Sequence, residues 1–86
     1  MRLLVVEDDP RLASLISRGL REQTYAVDVV GNGKDAIVQA AVNSYDAIVL
    51  DVMLPGLDGF AVLTEIRARG IRTPVMMLTA RDAVRD

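Results

Sequence analysis

Four short runs of apolar residues form the most regular pattern along the chain. They cover Leu3 to Val6, Ala26 to Val30, Ala47 to Leu50 and Val75 to Leu78. Three of these runs are almost unbroken and rich in Val, Ile, Leu and Met, which is typical of strands covered on both faces. The pattern therefore predicts four strands, three of them covered on both faces.

Helical patterns separate the four runs. The first begins at Asp9-Pro10, an N-cap followed by proline at the first helical position, and continues to about Glu22. The second begins near Asn32 to Lys34, and the third follows Asp58 as a cap and stops at Gly70. Their apolar positions are Leu12, Leu15, Ile16 and Leu20 in the first, Ala36, Ile37, Ala40 and Ala41 in the second, and Phe60, Leu63 and Ile66 in the third.

The alternation of strand and helix defines an α/β fold. It predicts parallel strands joined by right-handed crossovers, with helices on both faces of one sheet. A length of 86 residues leaves room for one domain at most, so we assign residues 1–86 to a single unit. The last six residues, Arg81 to Asp86, are polar and look like the opening of a further helix.

Composition narrows the chemistry. Cysteine and histidine are absent, which excludes disulfides, thiolate nucleophiles, the usual zinc ligands and imidazole acid–base catalysis. The net charge is -2 and the arginines are interspersed with acids, which disfavours a nucleic-acid or anionic-membrane surface. No apolar stretch has membrane-spanning length and no signal peptide is recognisable, so we expect a cytoplasmic protein.

Polar residues stand where the predicted strands finish. The first strand ends in Glu7-Asp8-Asp9, the third in Asp51 and the fourth in Thr79. Ligands of open parallel sheets bind beyond the carboxyl ends of the strands, and acids next to a core are costly unless something binds them. If the first and third strands are neighbours, about 4.8 Å apart, Asp8 and Asp51 lie close enough to share a divalent cation.

Mg²⁺ suits such a site because it prefers carboxylate, water and phosphate oxygens. Asp51 would then be a nucleophile towards phosphorus, since carboxylates form aspartyl phosphates. Each residue also has a plainer interpretation: Asp9 is more simply a helix cap, Glu7 a solvated acid, and Thr79 a hydroxyl that completes a local turn. Their joint position at the strand ends favours the site.

Three segments carry a family resemblance: LLVVEDDP, IVLDVMLPGLDGF and PVMMLTAR. Together they resemble the receiver domain of two-component response regulators, and the last two resemble the subclass whose receivers control winged-helix DNA-binding domains. The resemblance implies a flavodoxin-like, doubly wound parallel sheet of five strands in the order 2-1-3-4-5.

The resemblance also implies roles for the acids. Asp51 matches the phosphoacceptor, and Asp8 matches the acid that directly binds Mg²⁺. Glu7 matches the outer acid, which lies in the outer shell of the metal or contacts it through water. Met53 matches the residue whose backbone carbonyl completes the protein ligands of the metal.

Further roles by resemblance fall on the fourth strand and beside the acceptor. Thr79 matches the switch hydroxyl that moves onto the phosphoryl group, and Ala80 matches the small residue that leaves room for it. Arg81 and the Met53 side chain match positions that tune how readily water removes the phosphate.

The chain departs from the family pattern at its end. By resemblance, strands 1 to 4 are present in the order 2-1-3-4, and most of the fourth helix, the fifth strand and the fifth helix are missing. The lysine that contacts the phosphoryl group is missing with them, and Lys34, the only lysine, lies in the second helix. An open fourth strand, Val75 to Leu78, would then pair with a second copy or exchange elements with it, unless the segment is a piece of a longer chain.

We therefore expect a phosphoacceptor that receives its phosphoryl group on Asp51 from a sensor histidine kinase, with Mg²⁺, and controls transcription through a DNA-binding domain outside this segment. It would assist its own phosphorylation and dephosphorylation without being a turnover enzyme. The alternative is an interaction module that binds kinase or receiver without switching. A phosphatase with an aspartyl nucleophile is disfavoured, because Asp51-Val52-Met53 lacks its second acid.

Overall fold

The structure is a computed structural model that describes residues 1–78. The elements of these residues alternate as the sequence predicts, and the bounds differ from the predicted ones by a residue or so. They are β1 Arg2–Val6, α1 Pro10–Glu22, β2 Ala26–Val30, α2 Gly33–Val42, β3 Ala47–Asp51, α3 Gly59–Ala68 and β4 Val75–Leu78.

The strands form one parallel sheet in the order β2-β1-β3-β4. This confirms the predicted order 2-1-3-4 and the α/β class. In the register, Val6 lies beside Val30 on one flank and Leu50 on the other, and Asp51 lies beside Leu78. Because the two central strands are β1 and β3, the residues that follow them meet at the middle of the carboxyl edge.

Each helix begins at a polar cap, as its sequence predicts. The side chains of Asp9, Asn32 and Asp58 accept hydrogen bonds from N–H groups in the first turn of α1, α2 and α3, at 2.8–2.9 Å. Gly70 follows the end of α3 with a φ of +78°, a left-handed conformation that glycine adopts without a steric cost.

The main core lies between the sheet and the pair α2 and α3. Fully buried Leu4, Ile48 and Leu50 extend from the central strands into it, and Val62 and Ile66 of α3 meet them there. Val75 and Met77 of β4 pack against the same cluster. Val30 of β2 is also partly buried against it, so this face of the sheet is most enclosed at the two central strands.

The opposite face is covered unevenly. Helix α1 packs mainly against β1 and β2, so Val49 of β3 is half-buried and Met76 of β4 is 62% exposed. The prediction that the strands are covered on both faces is correct for β1 and wrong for β4 among residues 1–78. Leu15 and Phe60, which the helical patterns place with the apolar positions, are also exposed.

Across residues 1–78, the helices are too short or too polar for any of them to span a bilayer.

Candidate functional site

Two neighbouring strand ends bring three carboxylates together. Glu7 and Asp8 follow β1 directly, and Asp51 is the last residue of β3. One carboxylate oxygen from each of the three lies within 4.8 Å of the others. We call Glu7, Asp8 and Asp51 the acid cluster.

Strand pairing continues past the ends of the strands and fixes the backbone of the cluster. The Glu7 N–H donates to the Val30 carbonyl at 3.0 Å, and the Val52 N–H donates to the Leu78 carbonyl at 2.8 Å. The acids are therefore held by the sheet ladder itself, which is more rigid than a loop. Their proximity follows from the placement of β1 next to β3.

Glu7 is the most buried acid of the cluster, with 6% of its surface exposed. Its carboxylate accepts a hydrogen bond from the Asp9 N–H at 3.0 Å. Burial raises the pKa of Glu7, the Asp9 N–H opposes that shift, and the charges of Asp51 and Asp8 add to it. The sequence predicts Glu7 to be either solvated or an outer acid; in the structure its carboxylate is buried within the acid cluster.

Asp51 is half-buried and its orientation is set locally. Its carboxylate accepts a hydrogen bond from the Met53 N–H at 3.2 Å, so the residues just after β3 hold the side chain. Asp8 is exposed, and the Met53 side chain is 52% exposed. One edge of the cluster is thus open to a ligand, while the Glu7 side is closed.

Asp9 lies beside the cluster as a helix cap. Its side chain accepts from the Arg11 N–H at 2.9 Å, and its own N–H contacts Glu7. This agrees with the plainer interpretation of Asp9, and adds a role in fixing the Glu7 carboxylate.

The donor set of the acid cluster fits Mg²⁺. Within residues 1–78, none of its members forms an ion pair with an arginine or lysine; the ion pairs of this part of the chain join Arg2 to Asp28 and Arg69 to Glu65. Three unpaired carboxylates, one of them buried, repel one another unless a cation joins them. Oxygen donors alone select a hard cation such as Mg²⁺.

Three predicted site residues fall outside the part of the chain that the structure describes, and Lys34, the only lysine, lies on a different surface. Thr79, Ala80 and Arg81 lie outside the described residues, directly after the end of β4. Lys34 is the second residue of α2 and lines a groove of about 650 Å³ between α2 and α3. That groove is lined by no member of the acid cluster.

The comparison with family models identifies the class of protein. The model for the response regulator receiver domain matches residues 3–86. The chain belongs to the response regulator receiver domain family.

Curated relatives of the chain are regulators of transcription by name. It is 50% identical over 86 residues to the transcriptional regulatory protein TcrA of Mycobacterium tuberculosis, which covers all of this chain and 34% of that protein. It is 44% identical over 85 residues to the transcriptional regulatory protein PcoR of Escherichia coli, covering 99% of this chain and 38% of that one. The chain thus spans about a third of the length of these relatives.

Solved receiver domains share the fold. The receiver domain of a Francisella response regulator superposes with a TM-score of 0.89 at 38% identity, covering 94% of this chain and 67% of that one. The receiver domain of a sensor histidine kinase from Pseudomonas aeruginosa PAO1, which has a magnesium ion coordinated in its active site cleft, gives 0.87 at 42% identity, with coverage of 92% and 66%. The response regulator TrrA of Thermotoga maritima, in complex with Mg²⁺ and BeF, gives 0.89 at 34%, with coverage of 98% and 73%.

Proposed function

We propose that the chain is a phosphoacceptor switch of a two-component system, and that Asp51 is the residue that accepts the phosphoryl group from a sensor histidine kinase. One observation carries the proposal: Glu7, Asp8 and Asp51 offer oxygens within 4.8 Å of one another, and no basic side chain of residues 1–78 pairs with them. Membership of the receiver family supports the same function.

In this proposal Asp8, Asp51 and the Met53 backbone carbonyl would hold Mg²⁺, with Glu7 in the outer shell of the ion or in contact with it through water. When bound there, Mg²⁺ would supply the positive charge that offsets the negative charge developing on the phosphoryl oxygens during transfer. A solved receiver domain with magnesium in its active site cleft, and another in complex with Mg²⁺ and BeF, support the assignment. Glu7 is buried and accepts a hydrogen bond from the Asp9 N–H, so its carboxylate is held in place on the side of the cluster away from solvent.

The reaction needs a carboxylate oxygen presented at a fixed angle. An oxygen of Asp51 forms the bond to phosphorus, and the bond from phosphorus to the imidazole nitrogen of the donor breaks. The hydrogen bond from Met53 N–H, at 3.2 Å, holds one Asp51 oxygen and leaves the other available to attack. Thr79 then moves onto the phosphoryl group beside Ala80, while Arg81 and the Met53 side chain set the rate of hydrolysis.

The output lies beyond this chain. The relatives are about three times as long and are named transcriptional regulators, which supports control of transcription through a DNA-binding domain outside residues 1–86. These residues take part as one receiver segment, with the kinase as partner and without contacting nucleic acid or membrane. The cytoplasmic location predicted from the sequence stays a prediction.

The test is phosphoryl incorporation. The 86-residue chain is incubated with Mg²⁺ and acetyl phosphate, or with beryllofluoride, and intact mass or bound fluoride is measured. We expect one phosphoryl group per chain, lost in Asp51→Asn and retained in Asp46→Asn. Asp46 is a suitable control because it is an acid at the other end of β3, where it accepts from the Arg2 N–H at 2.7 Å. Wild-type chain without a gain at any donor concentration would contradict the function for this segment.

A specific feature also favours self-association, as in the interaction-module alternative. β4 is the last strand of the described sheet, and its Met76 is 62% exposed on the face that α1 leaves open. Within residues 1–78, β4 pairs with β3 alone, and an edge strand of this kind can pair with a strand of a second copy or exchange elements with it. Size-exclusion chromatography with light scattering tests this: a mass that rises with concentration is expected, and a monomer at all concentrations contradicts it.

A further inference from the structure

Residues 52–58 connect Asp51, the last residue of β3, to α3. The first residue of α3 lies in close contact with the backbone at the end of β3. Gly59, the first residue of α3, is buried, and its N–H donates to the Val52 carbonyl at 3.0 Å. The segment therefore folds back, so that the start of the helix touches the end of the strand.

No side chain fits at Gly59. A Cβ there would overlap the Asp51 carbonyl oxygen, and would lie 2.8 Å from the Val52 Cα and 3.1 Å from the Asp51 carbonyl carbon. All three are backbone atoms, so no change of rotamer relieves the overlap. Either the end of β3 or the start of α3 has to move.

A shift of the Val52 backbone would displace both of its neighbours, Asp51 and Met53. Val52 is held from β4 by its N–H bond to the Leu78 carbonyl at 2.8 Å, and from α3 by the Gly59 N–H. The residue before it carries the acceptor carboxylate, and the residue after it donates the N–H that orients that carboxylate. We infer that Gly59 is a positioning residue, which sets the Mg²⁺ affinity of the acid cluster through Asp51 and Met53; the inference rests on the proposed function.

The chain contains a matched control in Gly33. It is also buried, is the first residue of α2 and follows a polar cap, Asn32. A Cβ at Gly33 would overlap a Val62 side-chain methyl and lie 2.9 Å from the Leu57 carbonyl oxygen. The strain from alanine at Gly33 would fall on Val62 of α3 and on Leu57, at the end of residues 52–58 away from Asp51. We therefore expect alanine at either glycine to loosen the packing, and only Gly59→Ala to displace Asp51.

The experiment compares the two alanine variants of the 86-residue chain. Mg²⁺ is titrated into each, and the dissociation constant is read from backbone amide shifts, with unfolding in urea measured alongside. We expect both variants to lose stability. The Mg²⁺ dissociation constant should rise about tenfold in Gly59→Ala, the usual effect of losing a group that orients a metal ligand, and change little in Gly33→Ala.

Equal Mg²⁺ affinities in the two variants would overturn the inference, because general loosening of the fold would then explain everything. If Gly59→Ala does not fold in buffer, both variants are titrated in trimethylamine N-oxide, which favours the compact state without altering the contact. The same tenfold gap is expected there, and its absence counts against the inference. Wild-type chain that binds no Mg²⁺ would overturn both this inference and the proposed function, whereas wild-type binding with equal variants overturns this inference alone.

Discussion

Two clusters at opposite ends of the sheet differ in the partners that they give to their carboxylates. In the amino-end cluster, made of Arg2, Asp28 and Tyr45, one carboxylate oxygen has a cation and a hydroxyl as partners: an Arg2 nitrogen lies 2.7 Å from Asp28 Oδ2, and the Tyr45 hydroxyl donates to the same oxygen at 2.6 Å. The Arg2 guanidinium also lies 5.3 Å from the centre of the Tyr45 ring. In the acid cluster three carboxylates meet, and residues 1–78 supply no cation to them.

The pKa directions record the same contrast. The Tyr45 hydrogen bond, with Arg2 next to it, holds the pKa of Asp28 below its ordinary value in spite of some burial. Burial raises the pKa of Glu7, and the Asp51 and Asp8 charges raise it further. Partners that lower the pKa of a carboxyl group stabilise its charged form in the folded chain, whereas burial and like charges that raise the pKa destabilise that form.

The largest effect is expected from breaking the amino-end cluster. Asp28→Ala removes the acceptor of the buried Tyr45 hydroxyl and the partner of Arg2, and a buried polar group left with a weaker partner costs about 1–3 kcal/mol. The free energy of unfolding in urea should fall by that amount. Glu22→Ala, at the exposed end of α1, should change it by under about 0.5 kcal/mol; equal losses in both variants would contradict a stabilising role for the cluster.

The two clusters also differ in how well the sequence predicts them. Strands, helices and caps follow from local patterns, so the predicted positions of Asp8 and Asp51 at the strand ends needed only the pairing of β1 with β3 to become a cluster. Tyr45 and Asp28 are 17 residues apart, and no local pattern relates a tyrosine before β3 to an acid inside β2. Their contact exists only once α2 has returned the chain to the sheet.

Burial is harder to predict from the sequence than secondary structure. Glu7 follows an apolar run, and an acid in that position is expected to be solvated. Its N–H nevertheless continues the hydrogen bonding of β1, and its side chain is buried. Leu15 and Phe60 share the periodicity of buried residues and are exposed, because nothing in residues 1–78 packs over them. Periodicity identifies which positions can be buried, and the neighbouring elements decide which of them are.

A smaller effect, of opposite sign, is expected from neutralising the acid cluster. Without Mg²⁺, Asp51→Asn removes one of three charges that repel one another at close range, and should raise the free energy of unfolding by about 1 kcal/mol. With Mg²⁺ the order reverses: binding at tenfold excess over the dissociation constant stabilises the wild type by about 1.4 kcal/mol and the variant much less. Thermal unfolding with and without Mg²⁺ measures both. Destabilisation by Asp51→Asn in the absence of metal would show that the cluster carries no repulsion.

The smallest effect concerns pH and again separates the clusters. Because the pKa of Asp28 is lower in the folded chain than its ordinary 3.8, the unfolded state binds more protons between those two values. The stabilisation from Asp28 is therefore present above pH 3.8 and is lost as the pH falls through the folded pKa. The effect is small because the Arg2 and Asp28 side chains are 45% and 37% exposed, and solvent screens such pairs.

Tyr45→Phe removes the largest cause of the lowered Asp28 pKa. The free energy of unfolding of this variant, measured in urea from pH 6 downwards, should therefore fall less steeply at low pH than that of the wild type. Identical slopes would assign the acid sensitivity to other carboxylates.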